Sequence, residues 1–126
     1  MSSIVFDYFI GTDIVSVVRI QKIIQQHSQR FIKRTYTPIE IKYCDSKAAP
    51  AIHYAGRFAA KEAIKKALLS SGIVSNIDFT VIEIHSTEYG APEVQLNHPL
   101  MDKISCKVSI SHTDDTAIAF ALVIVY

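Results

Sequence analysis

Pro50-Ala51-Ile52-His53-Tyr54-Ala55-Gly56-Arg57-Phe58-Ala59-Ala60-Lys61-Glu62-Ala63-Ile64-Lys65-Lys66-Ala67-Leu68-Leu69-Ser70 is the longest uninterrupted helical pattern in the chain. Ala49-Pro50 opens it and Ser71-Gly72 closes it. At ~100° per residue, Arg57, Lys61 and Lys65 recur at i, i+4, i+8 as one basic stripe. The ordinary fate of such a stripe is a solvated face; the alternative is phosphate binding, with Arg as a fork and Lys as a point charge. Glu62 falls outside the stripe, between Phe58 and Leu69 on one flank and Ala55 and Ala59 on the other. A carboxylate on an apolar arc is costly unless a cation or donors meet it. Pairing with Lys66 one turn on would return only ~0.3–0.5 kcal/mol. A ligand that is anionic and also carries a cation, such as a metal-bound phosphate compound, suits both features.

Outward from this helix, the first half of the chain is mostly helical. Residues 4–14 are apolar and β-branched, broken at Gly11-Thr12-Asp13, and read as a strand ending near Asp13. Val17, Ile20, Ile23, Ile24, His27 and Phe31 then recur at helical spacing, with Arg19, Lys22, Gln26 and Arg30 on the outer side. Thr37-Pro38-Ile39-Glu40 is a capping box that starts a short helix ending near 44–46. The second half changes period. Residues 79–85 alternate as a strand, Tyr89-Gly90-Ala91-Pro92 is a turn, and 93–97 return. Residues 107–113 and 116–125 form a hairpin around Asp114-Asp115, and Ala117, Ala119 and Ala121 give it one smooth face for the long helix. Helices first and strands later indicate α+β.

The 126 residues suit one domain, and 49% hydrophobic content is enough for a core. With 13 basic and 12 acidic side chains there is no general pull toward nucleic acid or membrane. Two cysteines, Cys44 and Cys106, are too few for a disulfide framework and read as reduced, cytoplasmic thiols. The start Met1-Ser2-Ser3-Ile4 does not resemble a signal peptide, and no apolar run reaches the ~20 residues a membrane span needs.

Asp13 is most simply a turn carboxylate, yet magnesium takes one or two carboxylates plus water and phosphate oxygens, and Asp13 with Glu62 would make such a pair. His112 shares a strand face with Val108 and Ile110, where a histidine is usually a core group. No acid stands at a hydrolase-triad spacing, and there is no glycine-rich phosphate loop.

Three segments occur in order: Ile10-Gly11-Thr12-Asp13-Ile14-Val15, Gly56-Arg57-Phe58-Ala59-Ala60-Lys61-Glu62-Ala63, and Val108-Ser109-Ile110-Ser111-His112-Thr113. Arg34-Thr35-Tyr36-Thr37-Pro38-Ile39-Glu40 and Gly90-Ala91-Pro92 accompany them. Over nearly the whole chain this resembles the holo-acyl-carrier-protein synthases, the short bacterial 4′-phosphopantetheinyl transferases; the middle segment is the most specific.

The resemblance implies one domain over 1–126, with an antiparallel sheet packed against the long helix, and a homotrimer with active sites between subunits. It implies transfer of phosphopantetheine from coenzyme A to a serine of acyl carrier protein, releasing 3′,5′-ADP, in support of fatty acid biosynthesis. Asp13, Glu62 and Lys61 become the catalytic residues. Asp13 and Glu62 would hold magnesium, with manganese as a substitute. Arg57, Lys61, Lys66, Ser111, His112 and Thr113 would bind coenzyme A. Arg19, Lys22 and Arg30 would dock the acidic carrier. A metal-activated water and a nearby carboxylate are both open as acceptors of the serine proton. The segment Leu69-Ser70-Ser71-Gly72-Ile73 departs from the Gly-Thr-Gly turn usual in such proteins. The competing readings are a non-catalytic module binding coenzyme A or the carrier, and a plain structural oligomer.

Overall fold

A computed structural model describes residues 7–126. Residues 4–6 of the expected first strand, and the Met1 to Ile4 start, lie outside them. The elements run β1 (Asp7–Ser16), α1 (Val17–Thr35), α2 (Pro38–Asp45), α3 (Pro50–Ser71), β2 (Ile82–Ser86), β3 (Pro92–Leu96), β4 (Ile104–His112) and β5 (Thr116–Val125). Two antiparallel sheets result, one ordered β1-β5-β4 and the other β2-β3. The α+β expectation holds, as does the packing of an antiparallel sheet against the long helix.

The helix ends follow the sequence closely. Ser16 caps α1 by accepting from the Arg19 N–H at 3.2 Å. Thr37 and Glu40 form the reciprocal capping box of α2. Gly72, at φ 75°, takes the left-handed position that closes α3. One departure is inside α1, where His27 at φ −130° and ψ 28° breaks the helical geometry.

The seam between α3 and the sheet is built from small residues. Ala59, Ala63 and Ala67 are fully buried on the helix, as are Ala117 and Ala121 on β5, with Ala119 nearly so. Gly11 takes this to the limit. A Cβ added there would lie 2.0 Å from the Ala63 carbonyl oxygen and 3.0 Å from the Ala67 nitrogen. Only glycine lets β1 come so close. Larger side chains fill the rest of the core, including Ile20, Ile64, Leu68, Ile82, Ile84 and Val123. Each contributes about 1.5–3 kcal/mol by leaving water.

Among the described residues, nothing covers the opposite face of the three-stranded sheet. Tyr8, Ile10 and Ile14 on β1 are 62%, 60% and 71% exposed, and Ile118 and Phe120 on β5 continue the apolar patch. No helix among the described residues is long and apolar enough to cross a membrane.

The strand expected over 79–85 starts later. Phe79–Val81 forms a 3-10 turn and β2 begins at Ile82. The reason is a buried cation: the Phe79 and Ile82 carbonyls both turn toward the Lys61 ammonium, at 2.9 and 2.6 Å.

Candidate functional site

Alternation along β1 turns Phe9, Gly11, Asp13 and Val15 toward α3. Asp13 therefore lies two residues beyond the Gly11–Ala63 contact, and Glu62 is the residue just before Ala63. The backbone approach at Gly11 thus brings the two acids together. Asp13 and Glu62 line a recess of about 230 Å³ with Arg19, Ile23 and Phe58. Burial pushes the Glu62 carboxyl above its ordinary range, and the negative charge of Asp13 pushes it further, against Lys65 and Lys66. Two carboxylates sense each other in a half-dry recess, and Glu62 is the one of this oxygen-donor pair that lacks an ion-pair partner among the described residues. That set suits a hard divalent cation, which completes its shell with water and phosphate oxygens. Among the described residues no cluster of three or more His, Cys, Asp or Glu offers a fuller protein-only cage.

Lys66 does not pair with Glu62. Its ammonium crosses to β1, 3.0 Å from Asp13 Oδ1 and 2.9 Å from the Thr12 carbonyl.

Lys61 departs from both readings of the basic stripe. Its side chain is fully buried, and its ammonium stands 2.7 Å from Glu40 Oε1. With the Phe79 and Ile82 carbonyls, Glu40 gives Lys61 three acceptors, enough for all its protons. The expected catalytic and coenzyme-binding side chain Lys61 thus lies in the core, with its charge directed at Glu40 and two backbone carbonyls rather than into either recess. Glu40 is equally occupied, since Oε1 also accepts from the Thr37 N–H and Oε2 from the Ile84 N–H. The sequence marked Glu40 only as a capping residue.

Arg57, also expected in the solvated stripe, is 5% exposed. It lines a second recess of about 200 Å³ with Tyr43, His53, Ser86, Ile110 and His112. Its guanidinium carbon stacks 3.7 Å from the Tyr43 ring centre, and Nη2 donates to Ser86 Oγ at 2.8 Å. Arg57 Nε is buried with no partner among the described residues, a donor left over for an anion. His53 and His112 face each other with ring centres 6.2 Å apart. Burial lowers the His53 pKa, and nearby Arg57, Lys47 and His112 lower it further. Tyr43, His53 and Ser86 were not singled out by the sequence. His53 had a usable signal, since it lies one turn before Arg57 on the same stripe.

His112 thus joins Arg57, whereas Ser111 and Thr113 do not line this recess. Ser111 alternates to the bare sheet face, and Thr113 is engaged in the β4–β5 turn through Asp115 and Thr116. Of the docking candidates, Arg19 lies beside the acid pair, Lys22 is exposed on α1, and Arg30 rims a groove of about 530 Å³ whose walls include Ile23, Phe31, Phe58 and Phe79. Ile23 and Phe58 are common to this groove and the acid recess.

The two recesses share no residue. Arg57 and Glu62 are five residues apart on α3, which sets them ~7.5 Å apart along the axis and ~140° apart around it.

The fold has counterparts among known proteins. Residues 9–121 match the family model described as the 4′-phosphopantetheinyl transferase superfamily. The chain belongs to that superfamily. It is 44% identical over 115 residues to the holo-[acyl-carrier-protein] synthase of Chlorobaculum parvum, covering 90% of this chain and 96% of that protein. The corresponding synthase of Protochlamydia amoebophila is 41% identical over 117 residues, covering 90% and 94%. Among solved structures, the Helicobacter pylori synthase in complex with coenzyme A is 39% identical, with a TM-score of 0.77 over 89% of this chain and 96% of that one. The Bacillus anthracis synthase, in complex with coenzyme A (3′,5′-ADP), is 29% identical with a TM-score of 0.78, covering 94% and 96%. The resemblance carried by the three sequence segments is borne out at the level of the family.

Proposed function

We propose that this chain transfers the 4′-phosphopantetheine group of coenzyme A to a serine hydroxyl of apo acyl carrier protein, giving holo carrier and 3′,5′-ADP. The observation that carries the reading is the convergence of Asp13 from β1 and Glu62 from α3 on one recess. Relatives at 44% and 41% identity named as holo-[acyl-carrier-protein] synthases support the same reaction.

Asp13 and Glu62 would hold a magnesium ion, with manganese as a substitute. Such an ion supplies positive charge to a pyrophosphate whose oxygens gain negative charge as the P–O bond to the leaving nucleotide breaks. Lys66, whose ammonium lies 3.0 Å from Asp13 Oδ1, adds a positive charge for the phosphoryl oxygens. Arg57 offers its unpartnered Nε to a phosphate, and His112 stands beside it as a further donor. Phe58, Ile20 and Ile23 wall the acid recess with apolar surface, which limits water around the reacting phosphorus. Arg19 and Lys22 attract the acidic carrier, with Arg30 further along α1; these charges chiefly speed encounter and weaken with salt.

Because Arg57 and Glu62 open on different sides of α3, the nucleotide-binding half of one protomer serves the acid pair of another. The bare face carrying Tyr8, Ile10, Ile14, Ile118 and Phe120 supports association into a trimer, as an uncovered apolar sheet face is unfavourable alone. The protein acts in the cytoplasm, in fatty acid biosynthesis.

The test is a transfer assay with magnesium, coenzyme A and apo carrier. A carrier heavier by one phosphopantetheine, with equimolar 3′,5′-ADP, is expected. Binding of coenzyme A with no mass change under any divalent metal would instead favour a non-catalytic binding module.

A further inference from the structure

We propose that Lys66 is the resident cation of Asp13 in the metal-free protein, and that a divalent ion has to displace it before the two carboxylates act together. This rests on the reading of Asp13 and Glu62 as cation ligands. The Lys66 ammonium lies 3.0 Å from Asp13 Oδ1 and 2.9 Å from the Thr12 carbonyl oxygen. A carboxylate and a backbone carbonyl are the oxygen donors that a hard divalent ion itself prefers. The side chain reaches in from the rim: it is 53% exposed, against 16% for Asp13.

Local spacing favours a different partner. Glu62 is one turn before Lys66, in the Glu-to-Lys order that stabilises a helix. The ammonium nevertheless bonds β1, and among the described residues the Glu62 carboxylate makes no hydrogen bond or ion pair while sensing the charges of both Asp13 and Lys66. One acid is thus already neutralised and the other is left short of charge. A dication entering between them meets a competitor on Asp13 and is repelled by it.

Displacement does not remove Lys66 from the site. Its stem stays anchored on α3, so the freed ammonium remains within reach of any phosphate held at the same recess. Metal entry and availability of Lys66 for phosphoryl oxygens are then one coupled event, which keeps the second cation masked until the first has bound.

The test uses Mn²⁺ binding to the whole protein without coenzyme A, read as free Mn²⁺ by electron paramagnetic resonance. Lys66→Met binds Mn²⁺ roughly three- to tenfold more tightly than wild type, the range set by losing a part-exposed ion pair and a nearby like charge. Asp13→Asn loses binding in either background. The rise in melting temperature on adding Mn²⁺ is larger for Lys66→Met than for wild type. Unchanged or weaker Mn²⁺ binding in Lys66→Met, with Asp13→Asn still defective, overturns the competition and leaves the ligand assignment intact. Binding indifferent to Asp13→Asn overturns both.

Discussion

Gly11→Ala is the substitution that most directly probes how the acid pair is assembled. The added methyl would sit 2.0 Å from the Ala63 carbonyl oxygen and 3.0 Å from both the Ala63 carbonyl carbon and the Ala67 nitrogen. Its closest neighbour is more than 1 Å inside the ~3.5 Å at which nonbonded heavy atoms settle. All three neighbours are helix backbone, so no side chain can turn away to make room. Strand β1 and α3 have to part by about 1 Å. Overpacking of this kind costs about 1–3 kcal/mol, and rigid backbone on both sides puts Gly11 at the upper end. At roughly 4 °C per kcal/mol for a chain of this size, Tm falls by about 8–12 °C. The parting also carries Asp13 away from Glu62. A misplacement of about 1 Å in a reacting constellation costs about 10²-fold in rate, so turnover measured well below Tm falls by that order. Gly72→Ala separates the two effects. It strains the left-handed position at φ 75° but meets nothing within 4 Å. It therefore loses about 1–2 kcal/mol of stability and keeps wild-type Mn²⁺ binding. A Gly11→Ala protein with unaltered Tm and unaltered turnover would refute the β1–α3 contact as the source of the site.

Lys61→Met leaves the buried Glu40 charge unpaired and should cost about 3–5 kcal/mol in urea unfolding. Glu40→Gln in the same chain should recover part of that loss, whereas a stable but inactive Lys61→Met would return Lys61 to the substrate. Ile10→Lys with Ile14→Lys puts charge on the bare sheet face; sedimentation should report monomers, and transfer should be lost with the far-ultraviolet spectrum retained. In the metal-free protein the raised Glu62 pKa favours the protonated native state. Its stabilising contribution is full below the ordinary glutamate value near 4.5 and is lost as pH rises through the raised value. Glu62→Gln should remove that segment of the stability–pH curve, and saturating Mg²⁺ should reverse its sign; an unchanged curve in the variant would contradict the raised Glu62 pKa that burial and Asp13 together produce.

Much of the fold was readable because its signals are local. Pro50 and Gly72 bounded α3, Thr37 and Glu40 opened α2, and Asp114-Asp115 marked the β4–β5 turn. The acid pair was readable because Glu62 breaks an apolar arc and Asp13 follows a glycine at a strand end. What stayed hidden depends on partners far along the chain. Lys61 finds Glu40 21 residues earlier and the Phe79 and Ile82 carbonyls 18 and 21 residues later, so helix spacing alone assigned it to a solvent-facing stripe. Lys66 leaves its i−4 neighbour for a strand 53 residues away because Gly11 brings that strand within reach. The Phe79–Val81 turn mimicked a strand because three residues are too few to separate a period of two from a period of three.

The most direct measurement is the anomalous diffraction signal of Mn²⁺ in crystals grown with coenzyme A. One ion is expected between the Asp13 and Glu62 carboxylates of a single protomer, against the pyrophosphate, with Arg57 and His112 of a neighbouring protomer on the nucleotide. An ion bound elsewhere, or a coenzyme whose pyrophosphate lies away from both acids, would contradict the account.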